Sequence, residues 1–89
     1  MLLQSEPTYS KGMTYKYEQQ LLLKFGKNVA RVRKEKGLTQ EQLAESLDVS
    51  VVTIAYIETG KRWVRIGTLS KIASKLNVDI SILFVGVKK

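Results

Sequence analysis

The side chains of this chain equipped to act on a partner are cations and hydroxyls, not nucleophiles or metal ligands. Fifteen Lys and Arg stand against eight Asp and Glu, a formal charge of +7, and the 89 residues contain neither His nor Cys. Without imidazole or thiol there is no ordinary general base for neutral pH, no thiolate nucleophile and no usual zinc ligand set. The serines and lysines lack an activating neighbour, the carboxylates are spread among charge partners, and no phosphate-cradling glycine loop is present. An enzyme is therefore not expected, nor a metal, a cofactor or a small-molecule ligand. What the cations can do is meet a polyanion, such as nucleic acid or an anionic membrane surface. Their placement is uneven. Lys24, Lys27, Arg31, Arg33, Lys34 and Lys36 precede the stretch from Leu38 to Gly60, and Lys61, Arg62 and Arg65 follow it.

The stretch between the two basic groups reads as two short helices joined by a tight turn, which fits a helix-turn-helix. Thr39 is placed to cap the first helix, and Gln42 three residues on completes a capping box. Leu38 and Leu43 occupy the two positions of a hydrophobic staple. Ser50 repeats the cap for the second helix, with Val49 and Ile54 as its staple, and Gly60 supplies the stop. The pair is predicted over about 40–47 and 51–59, around the turn Asp48-Val49-Ser50.

The flanking sequence supplies the support. Residues 1–13 hold the only proline, Pro7, and read as an irregular arm. A helix is predicted from about Thr14 to Lys36, with Leu22, Phe25, Val29 and Val32 on its buried face and Gly37 ending it. After the connector Lys61-Arg62-Trp63-Val64-Arg65, a helix fits 66–76, with Ile66, Leu69, Ile72, Ala73 and Leu76 inward and Asn77 as a left-handed stop. Asp79 caps a last short helix from Ile80 to about Phe84, and residues 85–89 form a tail. The whole is an all-α, five-helix domain over residues 14–84, a size that suits one core. No apolar run approaches a membrane span, and Met1-Leu2-Leu3 followed by Gln, Ser and Glu is not the pattern of a secretory signal. The lack of cysteine fits a reducing cytoplasm, so a cytoplasmic protein without membrane contact is expected.

The motif pieces, in order, are Val32-Arg-Lys-Glu-Lys-Gly-Leu-Thr-Gln-Glu-Gln-Leu-Ala44, Val49-Ser50, Ile54-x-x-Ile57-Glu58-x-Gly60-Lys-Arg62, Leu69-x-x-Ile72-Ala73-x-x-Leu76-x-Val78 and Leu83-Phe84. Through them the chain from about Phe25 to Phe84 resembles the Cro/lambda-repressor-type helix-turn-helix family, also called the XRE family. The resemblance implies a compact lambda-repressor-like fold in which Ala44 marks the close crossing of the helix pair. It makes Leu43, Leu47, Ile54, Ile57, Leu83 and Phe84 core, and it pairs Arg33 with Glu58 as an internal ion pair. Two positions depart from the family pattern. Asp48 stands where glycine is usual in the turn, and Val64-Arg65 replace the proline and hydroxyl residue that tend to precede the fourth helix.

The resemblance also implies a function. The second helix of the pair would enter the major groove of double-stranded DNA, with Val51, Val52, Ala55 and Tyr56 as the base-reading set and Thr53 at its margin. Gln40, Ser50, Thr59, Lys61, Arg62 and Arg65 are the candidates for phosphate contacts. No Arg, Gln or Asn lies on the reading face, so bidentate readout from it is not expected. Valines can pack on thymine methyl groups, and the Tyr56 and Thr53 hydroxyls give single hydrogen bonds. A T-containing half-site with modest discrimination follows, helped by DNA shape or arm contacts. One reading helix is too little surface for tight binding, so a homodimer on a palindromic operator is expected. Its candidate contacts are Ile80, Ile82, Val85 and Val87, with Leu2, Leu3, Tyr9, Tyr15, Tyr17 and Leu21 of the arm and first helix contributing. The same Val-Val-Tyr patch also suits a protein partner. The alternative is thus a protein-binding module on the same fold, such as an antitoxin or an adaptor.

Overall fold

A computed structural model describes residues 15–87, with only the backbone described at Tyr15. The arm, including Leu2, Leu3 and Tyr9, lies outside the described residues. Four α-helices and one 3-10 helix follow in order: α1 (Tyr15–Glu35), α2 (Gln40–Leu47), α3 (Val51–Glu58), α4 (Ile66–Leu76) and the 3-10 helix (Ile80–Phe84). No strand occurs among the described residues. The expected fifth helix is therefore a short, tighter turn of chain, opened by Asp79, whose side chain accepts from the Ser81 amide at 2.9 Å.

The helix ends are written locally. Thr39 and Gln42 form the expected capping box, with the Gln42 amide donating to the Thr39 hydroxyl at 3.0 Å and the Thr39 amide to the Gln42 side chain at 2.9 Å. Each α-helix then stops at one left-handed residue: Gly37, Asp48, Gly60 and Asn77, with φ of 77°, 60°, 74° and 57°. In each case the next amide returns to a carbonyl five residues back, as in Val49 to Ala44 at 3.0 Å and Lys61 to Tyr56 at 2.8 Å. That return satisfies carbonyls the helix leaves open. Asp48 takes up the left-handed conformation that the turn demands without glycine, which short polar side chains tolerate.

The core gathers Phe25, Val29 and Val32 of α1, Leu43, Ala44 and Leu47 of α2, and Ile54 and Ile57 of α3. Leu69, Ile72, Ala73 and Leu76 of α4 and Leu83 of the 3-10 helix complete it, all 8% exposed or less. Helix α1 packs on α3 and on the 3-10 helix, while α2 packs on α3 and α4. Phe84 is half-buried and stacks on Phe25 with ring centroids 5.2 Å apart.

Two expected core positions lie elsewhere. Ile66 is 79% exposed, because it opens the first turn of α4 and the side chain that enters the core there is Val64, two residues upstream. The departure from the proline pattern thus supplies an apolar plug. Leu22 is half-buried: it lines a surface groove with Glu18, Leu21 and Trp63 instead of meeting the central cluster.

Candidate nucleic-acid interface

Helix α3 has two chemically different faces. Ile54 and Ile57 are fully buried and Glu58 is buried with them, whereas Val51, Val52 and Tyr56 are 38%, 53% and 47% exposed. Thr53 and Ala55 lie between, partly covered. The fold needs the first face and makes no use of the second. Ser50 starts the helix by accepting the Thr53 amide on its hydroxyl at 3.2 Å. At the other end the Thr59 hydroxyl donates to the Ala55 carbonyl at 2.8 Å.

A buried charge cluster fixes where that helix sits. Arg33 donates through Nε to Glu58 Oε2 at 2.6 Å and through Nη2 to Oε1 at 3.1 Å, so the pair is bidentate. Its third donor, Nη1, reaches the Leu38 carbonyl at 2.8 Å, and Gln40 Nε2 donates to Glu58 Oε1 at 2.9 Å. Both charged side chains are nearly removed from water, at 9% and 5% exposure. One cluster therefore ties α1, the loop into α2, the start of α2 and the end of α3. Among the described residues no buried side-chain N or O atom lacks a partner. Such saturation is what allows a charge pair to sit inside a protein.

Glycine supplies the second fixture. A Cβ at Gly26 would fall on the backbone carbonyls of Ile57 and Glu58, 2.7 Å from the Glu58 oxygen. The backbone of α1 thus approaches the last turn of α3 as closely as only glycine permits. Sequence reasoning missed Gly26, although a glycine inside an otherwise regular helix, where it is unfavourable by about 1 kcal/mol, was its signal. It also missed Asn28, whose Nδ2 donates to the Leu83 and Val85 carbonyls, both at 2.9 Å. A polar residue between Phe25 and Val32 on the apolar face was the signal there.

The cations frame the open face. Lys61, Arg62 and Arg65 are exposed and pair with no carboxylate among the described residues. The left-handed turn at Gly60 sends the connector back along α3, and Arg62 Nη1 donates to Thr53 Oγ1 at 3.2 Å, nine residues upstream. Trp63 turns the other way, tilted against Phe25 with ring centroids 5.7 Å apart. Val51, Val52, Ala55 and Tyr56 are therefore brought together with Arg62 and Thr53 at their edge. Gln40 is bonded to Glu58 at the other end of α3. Ile80, Ile82 and Val85 are exposed at 40%, 37% and 53% on the 3-10 helix and the turn after it, while Val87 is partly covered and lines a surface groove with Gln20, Leu23, Lys24 and Lys27 of α1.

Residues 29–83 match the HTH_3 helix-turn-helix family. The chain is 37% identical over 68 residues to control protein C.MunI of a Mycoplasma species, covering 75% of this chain and 92% of that one. It is 37% identical over 60 residues to the ImmF control region 10 kDa protein of Bacillus phage phi105, covering 67% of each. Among solved structures, the restriction-modification controller protein C.AhdI of Aeromonas hydrophila superposes with a TM-score of 0.68 at 33% identity, over 71% of this chain and 96% of that one. With the helix-turn-helix, its caps and the two-faced α3 all falling inside the matched region, the chain belongs to the HTH_3 helix-turn-helix family.

Proposed function

We propose that this protein is a sequence-specific, double-stranded DNA-binding transcriptional regulator of controller or repressor type, acting as a homodimer on a palindromic operator. The observation that carries this is the outward face of α3: three exposed side chains that the core does not use, bordered by cations that pair with no carboxylate among the described residues. A helix so mounted can enter the major groove with its N-terminal residues at base edges. Val51 and Val52 would then pack on thymine methyl groups, and Tyr56 would add a single hydrogen bond. Ser50, Thr59, Lys61 and Arg65 suit phosphate contacts, as does Gln40, which has one amide hydrogen left beside its bond to Glu58. Ile80, Ile82, Val85 and Val87 are the surface proposed for the two-fold contact. The likeness to control protein C.MunI and to the restriction-modification controller C.AhdI supports a regulator of that kind.

Selection from a random double-stranded pool tests the proposal. A two-fold-symmetric, T-containing motif is expected, and affinity should fall steeply with salt because each neutralised phosphate releases counterions. Val51→Ala or Val52→Ala should weaken binding to thymine-containing sites and have little effect on the same sites carrying uracil. A flat salt response or the absence of any enriched motif would remove the DNA reading. The exposed Val51, Val52 and Tyr56 would then favour the second one, a protein-binding module, which predicts tight capture of a partner by that same face.

A further inference from the structure

The open face of α3 has no side chain able to make two hydrogen bonds to one base edge. Val51, Val52, Ala55 and Tyr56 offer methyl groups and one hydroxyl, and the only amide near the helix pair that was expected to face DNA, Gln40, is bonded to Glu58. The Thr53 hydroxyl is also engaged, lying 3.0 Å from the Ser50 hydroxyl and 3.2 Å from Arg62 Nη1. That last bond matters most. Arg62 belongs to the connector, but its guanidinium lies over the first turn of α3, the part of a reading helix that reaches base edges. Guanidinium has five N–H donors in a rigid fork. The bond to Thr53 uses one of them, and Arg62 has no carboxylate partner among the described residues.

Resting on the regulator function proposed above, we infer that Arg62 is a base-reading residue and not a phosphate contact: it presents its free donors to the O6 and N7 acceptors of a guanine in the major groove, with Thr53 as the positioning residue. Chemistry favours guanine, since paired acceptors on one edge match the fork and this is the commonest specific contact of arginine. Each half-site then combines a methyl-lined patch read by Val51 and Val52 with one guanine read from the connector. A lysine at the same place would keep the charge and lose the fork.

The test compares the wild-type chain with Arg62→Lys and Thr53→Val, using motifs enriched from a random double-stranded pool and duplexes in which single guanines are replaced by 7-deazaguanine. Arg62 is exposed and Thr53→Val is nearly isosteric, so both variants are expected to fold. For the wild type, one 7-deazaguanine position per half-site should lower affinity about ten-fold. For Arg62→Lys that penalty should vanish and the motif should lose its guanine, while the salt slope stays the same. Thr53→Val should show a smaller loss at the same position. An unchanged guanine preference in Arg62→Lys, together with an equal weakening of every duplex by Arg62→Ala, would overturn the assignment in favour of a phosphate contact. Thr53→Val behaving as wild type would remove its geometric basis. A wild-type chain that enriches no motif would instead refute the regulator function itself.

Discussion

Arg33 and Asn28 both turn from α1 into the interior, one as a full charge and the other as a neutral amide. The charge is embedded in a shell of three partners on separate elements, Glu58, Leu38 and, through Glu58, Gln40. The amide reaches two carbonyls of one short segment, at Leu83 and Val85. The contrast shows how differently the two proposed surfaces are held. Helix α3 is held by interlocking bonds from three elements, whereas the C-terminal segment is anchored by the packing of Leu83 and Phe84 and by two hydrogen bonds from a single side chain. Local stability in so small a domain is therefore expected to be uneven, with α3 better protected than residues 85–87.

Breaking the charged joint should have the largest effect. Arg33→Met or Glu58→Leu alone strands a buried charge and is expected to destabilise by about 3–5 kcal/mol, read from the urea midpoint. The double variant should recover part of that loss, because neither charge is then left unpaired. A double variant as unstable as the sum of the singles would mean that Gln40 and the Leu38 carbonyl, not the pair, dominate.

Gly26→Ala comes next. Its methyl group meets backbone oxygen, which no rotamer change relieves, so a loss of about 1–3 kcal/mol is expected despite the better helix propensity of alanine. Because the contact is with α3, DNA affinity should fall beyond what the lost stability explains. Asn28→Ala leaves two carbonyls without their donor and should have an effect of about 1–3 kcal/mol at most, since the tail can open to water. Here the discriminating measurement is amide exchange: residues 85–87 should exchange faster, with the protection of α3 unchanged. Spread of the effect into α3 would erase the distinction between the two joints.

The smallest effect concerns the segment that Asn28 holds. The hydrogen bond from the Ser81 amide lowers the Asp79 carboxyl below its usual pKa of 3.8. A carboxyl that titrates lower when folded contributes fully above its unfolded value, and the contribution is lost as pH falls through the folded one. Asp79→Asn should therefore lower the melting temperature slightly at neutral pH and leave it nearly unchanged in strong acid, as thermal melts at the two pH values will show.

Much of the frame was legible because the signals that set it are local. Thr39, Gln42 and Ser50 act on amides within three residues, and Gly37, Asp48, Gly60 and Asn77 each close their own helix. Helix boundaries follow from such punctuation with no knowledge of the partners. The Arg33–Glu58 pair, 25 residues apart, came from the family resemblance and not from local signals, and the expectations that failed concern which surfaces meet. Ile66 has the right spacing for the apolar stripe of α4, but periodicity does not reveal that Val64 already fills that end of the core. Leu22 carries the stripe of α1 past the place where the core stops. Gly26 reads as a weak spot in a helix until the carbonyls of α3 are placed against it. The bond from Arg62 to Thr53 spans a turn whose course the sequence marks only by Gly60.

The division of α3 into a face owned by the core and a face owned by nothing has an engineering consequence. Val51, Val52, Ala55 and Tyr56 can be exchanged as a set without disturbing Ile54, Ile57 or Glu58, since substitutions away from packed or bonded groups change stability by about 0.5 kcal/mol or less. Under the regulator function proposed above, the domain is then a chassis with a replaceable address label. Variants carrying different labels would form a panel of mutually insulated switches, built on one unchanged set of caps, stops and buried charges.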